Sequence, residues 1–142
     1  MPRPRTPEVA VDIVIELLNR PDRPIVLIRR DRPPQGHALP GGFVDIGETV
    51  ERAAQREARE ETGLDITLVG LLGVYSDPGR DSRGHTVSIV YVATADGTPA
   101  AGDDAAAILV TDPEKAPTLA FDHDRILGDY KRWRRDRGSS RG

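Results

Sequence analysis

A helix whose inward face is acidic constrains this chain more than any other feature. Thr49 to Thr62 reads as that helix, stopped by Gly63 in the left-handed closing position. At about 100° per residue, Val50, Ala53, Ala54 and Ala58 form an apolar stripe, with Arg52, Gln55 and Arg59 opposite. Glu57 and Glu61, four residues apart, fall within the stripe, and Glu60 lies at its edge. An unpaired buried carboxylate is costly unless it takes up a proton. Arg56, one turn before Glu60, can pair with one of the three acids. Protonation is a second remedy. A hard divalent cation is the third, because Mg²⁺ takes oxygen ligands from carboxylates and substrate phosphates. Local Arg pairing accounts for one acid, not three, so the metal reading is the sharper one.

The flanking segments set the fold class. Val9, Val11, Ile13, Ile15 and Leu17 recur at the strand period, and Ile25 to Ile28 forms a second strand. Ile66 to Tyr75 reads as a strand bent at Gly70 and Gly73, followed by strands at Val87 to Ala93 and Ile108 to Val110. A closing helix runs from His123 to about Arg135, with Ile126, Leu127, Tyr130 and Trp133 on one face. Strands on both sides of a central helix, and another helix at the end, predict an α/β fold with a mixed sheet between helices. No repeat or long linker divides the 142 residues, so one domain over 1–142 is expected, with 1–7 and 137–142 disordered.

Composition removes several functional classes. Twenty Lys and Arg against 23 Asp and Glu give −3, so no global positive field attracts nucleic acid or a membrane. The basic run Lys131 to Arg137 reads as charge complementing a helix C-terminus. With no cysteine, disulfides, thiolate catalysis and Cys-ligated zinc are excluded, and His37, His85 and His123 are too scattered for a zinc motif. No apolar run has the length of a membrane span, and the Arg/Pro-rich start lacks a signal-peptide core, so a cytoplasmic location is expected.

The acidic helix belongs to a longer pattern. Gly42 is followed after five residues by Glu48, and after seven more by Arg56-Glu57-Ala58-Arg59-Glu60-Glu61-Thr62-Gly63-Leu64. Seven identities at fixed spacing would coincide about once in a billion windows of equally frequent residues, and composition bias does not close that gap. The segment resembles the Nudix box of hydrolases acting on nucleoside diphosphates linked to another group. The resemblance implies an α/β/α sandwich and a metal-binding loop–helix–loop. It assigns Glu57, Glu60 and Glu61 as carboxylate ligands of Mg²⁺ or Mn²⁺ and the Gly41 carbonyl as a further ligand. Glu48 and Arg56 would brace loop against helix, and Gly42 would permit a tight backbone path. Glu57 is the first choice of general base within the box; Asp103, Asp104 and Glu114 are candidates outside it.

The loop from Tyr75 to His85 carries Arg80, Arg83 and His85. Arginine donors suit phosphate, although Asp77 and Asp81 could equally pair with Arg80 and Arg83 to order the loop without ligand. This stretch, with Leu119-Ala120-Phe121-Asp122-His123, is similar to ADP-ribose pyrophosphatases of the Nudix superfamily, with Ser82 and His37 departing from that pattern. The resemblance implies hydrolysis of ADP-ribose to AMP and ribose 5-phosphate, with Arg30, Arg80, Arg83 and His85 binding substrate. A triphosphate pyrophosphohydrolase and a non-catalytic ADP-ribose sensor are the alternatives. A small nucleotide is thus the expected partner, and the first strand with the closing helix offers surfaces for a homodimer. Aromatic residues are 4% of the chain, so stacking on a base must use one of six rings or an Arg face.

Overall fold

The computed structural model describes residues 3–102 and 107–139. The strands are β1 (Glu8–Leu17), β2 (Ile25–Arg30), β3 (Gly36–Ala38), β4 (Gly41–Phe43), β5 (Thr67–Tyr75), β6 (Thr86–Ala95) and β7 (Ala107–Thr111). The helices are α1 (Val50–Thr62), between β4 and β5, and α2 (His123–Ser139), which follows a short 3₁₀ turn at Pro113–Lys115. All strands join one sheet ordered β3-β2-β1-β6-β5, with β4 also on β1 and β7 on β2. β1 and β6 run parallel from Glu8↔Thr86 to Leu17↔Ala95, and the other pairings are antiparallel, giving the expected mixed sheet.

The alternation along β1 decides what lies on each face. Val11, Ile13, Ile15 and Leu17 pack with Ala53, Ala54 and Ala58 of α1, whose small side chains let the helix approach the sheet closely. Val14 turns the other way, into a cluster with Leu27, Ile126, Leu127 and Tyr130 that seats α2. Local chemistry sets the ends of α1: the Thr49 side chain accepts the Arg52 N–H, and Gly63 takes φ 72°. The bends expected at Gly70 and Gly73 are register shifts against β6.

Two features differ from the sequence reading. The three-residue strands β3 and β4 occupy a stretch that prolines and glycines mark as irregular. α2 continues to Ser139, so 137–139 are helical where the composition predicts fraying, while 1–2 and 140–142 lie outside the described residues. β1 is interior, hydrogen-bonded to β6 on one side and to β4 and β2 on the other. Among the described residues no helix is long and apolar enough to cross a membrane.

Candidate active site

Pairing of β4 with β1 places Gly41 opposite Asp12 and Gly42 opposite Val11. A Cβ on Gly42 would collide with the Glu57 carboxylate, and one on Gly41 with the Val11 carbonyl and Asp12 carboxylate. Close approach is therefore the reason for both glycines. Glu61 is buried, and its Oε1 accepts the Gly41 N–H at 3.1 Å. Burial, then the charges of Glu57 and Asp12, push the Glu61 carboxyl up to about 8 against the partial opposition of the Gly41 N–H. Burial also raises Glu57; Arg56 opposes that rise and Glu60 adds to it.

Arg56 reaches more acids than helical spacing alone predicts. Its Nε and Nη2 donate to both oxygens of Glu48 at 2.7 and 2.9 Å, while Nη1 donates to Glu57 Oε1 at 2.8 Å and Glu60 Oε2 at 3.2 Å. Nη2 also donates to the Phe43 carbonyl at 3.0 Å, tying β4 to α1. The Arg56 hydrogen bonds, with help from the Asp45 N–H, hold the Glu48 carboxyl down at about 2. Glu60 remains largely exposed. Among the described residues no three acids already converge as a metal cage. The donor set nonetheless fits a hard cation: the buried Glu61 and the half-buried Glu57, both raised by desolvation, stand beside a glycine loop with no side chains to block it.

A pocket opens beside this loop, lined by Asp12, Arg30, Gly41, Gly42, Arg83 and Phe121 among others. Arg30 is half-buried, donates from Nε to the Pro34 carbonyl at 2.9 Å, and has no carboxylate partner among the described residues. Burial and then the charge of Arg83 lower its proton affinity. Arg83 makes a forked pair with Asp81 at 3.1 and 2.8 Å, as the ligand-free reading of the loop anticipates. Arg80, only 4% exposed, instead pairs with Asp122 across 42 residues at 2.9 and 2.7 Å. His85 is exposed outside this pocket, its Nε2 3.0 Å from the Ser76 carbonyl. Glu114 sits 3.7 Å from Lys131, away from the box, and Asp103 and Asp104 lie outside the described residues.

Two features were missed in the sequence. Asp12 accepts a hydrogen bond from Ser88 and faces His123 Nε2 at 3.6 Å, while His123 Nδ1 accepts the Leu39 N–H at 3.0 Å. This chain ties β1, β6 and α2 to the start of the glycine loop. Its signal was an aspartate between Val11 and Ile13 in a strand that proved central. The second is Phe121, which holds φ 57° at the pocket wall; a single sequence carries no sign of that backbone state.

Comparison with known proteins identifies the family. A profile of the NUDIX domain family matches residues 6–132. An ADP-ribose pyrophosphatase of Methanocaldococcus jannaschii is 51% identical over 131 residues, covering 90% of this chain and 75% of that protein. A candidate 8-oxo-dGTP diphosphatase of Bacillus subtilis is 35% identical, covering 84% of this chain and 78% of that one. The NUDIX domain of Shewanella oneidensis NrtR, crystallised with ADP-ribose, superposes with a TM-score of 0.79 at 24% identity, covering 90% and 88% of the two chains. At that identity the likeness carries the fold alone. This chain belongs to the NUDIX domain family, whose hydrolases depend on divalent metal ions.

Proposed function

We propose that this protein hydrolyses ADP-ribose to AMP and ribose 5-phosphate, using Mg²⁺ or Mn²⁺ held by Glu57, Glu60, Glu61 and the Gly41 carbonyl. The observation that carries the metal site is the pair of a buried Glu61 and a half-buried Glu57, held against a glycine loop that has room for nothing larger. The substrate follows from the 51% identity to an ADP-ribose pyrophosphatase. When bound, the ion supplies charge neutralisation for the diphosphate and makes the attacking water more acidic. Glu57 Oε1 is engaged by Arg56, which leaves Oε2 to take the water's proton as one P–O bond of the diphosphate bridge breaks. Arg56 and Glu48 hold that carboxylate in place. Arg30, a cation with no acid of its own among the described residues, attracts the diphosphate into the pocket.

The test is product analysis over dinucleotide and triphosphate substrates with added Mg²⁺. Rapid formation of AMP and ribose 5-phosphate from ADP-ribose is expected. No turnover of ADP-ribose beside rapid turnover of 8-oxo-dGTP would instead favour the activity named for the Bacillus relative. Glu57→Gln separates an enzyme from a sensor: kcat is expected to drop by about 10²–10⁴-fold, with ADP-ribose affinity changed far less. Unchanged turnover would remove Glu57 from the mechanism.

A further inference from the structure

Phe121 is an aromatic residue in a conformation that favours glycine. Its φ of 57° is left-handed, where a bulky side chain strains the backbone, and such strain persists only where neighbours over-determine it. They do so here. The Ala120 N–H donates to the His37 carbonyl at 2.8 Å, Asp122 is clamped by Arg80, and His123 is buried. The ring itself belongs to none of the buried apolar clusters on either face of the sheet. It stands in the pocket wall with the Arg30 guanidinium 5.0 Å from its centroid and that of Arg83 at 5.1 Å. Arg83 also lies 5.9 Å from the ring of Phe43, which is 43% exposed and outside those clusters too.

Two cations against one aromatic ring, one of them without a carboxylate ion-pair partner among the described residues, complement a ligand that is both planar and anionic. A phosphate answers the Arg30 guanidinium, which makes no ion pair among the described residues. A ring with its own π face gains from stacking on Phe121 or on the Arg83 plane, whereas a pentose offers no such face. We infer that Phe121 is the stacking platform for the nucleobase of the substrate, with Arg83 covering the same base and Arg30 meeting the adjacent phosphate. The inference rests on the proposed hydrolysis of ADP-ribose and places its AMP half, not its terminal ribose, against Phe121.

The left-handed backbone makes a clean test possible. F121G deletes the ring while relieving the strained φ, so lost function is separated from lost folding. Thermal unfolding, equilibrium binding of AMP and of ribose 5-phosphate with Mn²⁺ present, and kcat and KM for ADP-ribose are measured for the native protein, F121G and F121W. For F121G, Tm is expected to hold or rise, and AMP affinity to fall about tenfold. Ribose 5-phosphate affinity should be unchanged, and KM should rise by the same factor as the AMP dissociation constant at little cost to kcat. F121W should restore AMP affinity. A fall in Tm of several degrees for F121G would mark the ring as structural and overturn the inference. So would unchanged AMP affinity, or a loss confined to ribose 5-phosphate. If the native protein fails to cleave ADP-ribose while F121G still weakens AMP binding, the proposed reaction fails and the base platform stands.

Discussion

Gly42 and Gly63 are both glycines of the box, and they are glycine for different physical reasons. Gly63 closes α1 at φ 72°, so its requirement is conformational. Gly42 has no left-handed φ; its missing side chain makes room for the Glu57 carboxylate. The two predict opposite phenotypes. Gly63→Ala should cost about 1 kcal/mol of stability and leave kcat nearly intact, as measured by urea unfolding and steady-state rates. Gly42→Ala forces the Glu57 head group aside, and a displacement of that kind costs up to about 10²-fold in rate. The expected result is a large drop in kcat with weaker Mn²⁺ binding. A Gly42→Ala variant with native kcat and native metal affinity would show that Glu57 works from another position. Spacing marked both glycines in the sequence, but only the fold shows which one yields space and which one yields backbone freedom.

α2 and the loop before β6 are coupled by one buried ion pair. Arg80 is 4% exposed and forms its ion pair with Asp122, just ahead of α2, so the pair fastens the Ser76-to-His85 loop to the helix start. Removing one partner leaves a buried charge uncompensated, whereas replacing both with apolar groups is often neutral. Asp122→Ala should therefore cost about 3–5 kcal/mol, read as a drop of roughly 10 °C in Tm, and Arg80→Met with Asp122→Leu should recover most of it. A double variant as unstable as the single one would mean that the loop is held by other contacts. The same pair shows where sequence reading runs out. α1 was legible to within a residue because its cap, its alanine stripe and its stop are all local. β3 and β4 were not, because three residues beside prolines and glycines become strands only through pairing with β2 and β1. Arg80 as a phosphate ligand was chemically reasonable, but its partner lay 42 positions away, in a segment placed beside it by α2 docking.

At the scale of the molecule, β1 is the common wall between the acidic helix and the nucleotide pocket. Its odd residues seat α1 and its even residue Val14 faces α2, while Asp12 reaches the pocket and contributes to the raised carboxyl of Glu61. The layered arrangement was legible from alternation, but the parallel pairing with β6, some 78 positions away, has no local signature. The raised acid makes global stability depend on pH. Glu61 titrates near 8 in the folded protein against 4.5 when free, so the folded state keeps a proton the unfolded chain has already released. Stability contributed by that proton is full below about 4.5 and is lost as pH climbs through about 8. Glu48, held down at about 2, acts oppositely: its contribution is complete above about 4.5 and is lost only as pH falls through about 2, outside the upper window. A divalent ion favours the deprotonated Glu61 and so competes with that proton. Metal-free protein should thus lose Tm from about pH 5 to about pH 8, and saturating Mg²⁺ should reverse the loss, stabilising by about 2.7 kcal/mol at a hundredfold excess over its dissociation constant. The increment due to Mg²⁺ should grow with pH and shrink in Glu61→Gln, whose side chain has no proton to exchange. An increment of equal size at both ends of that range would mean the ion binds where Glu61 does not take part.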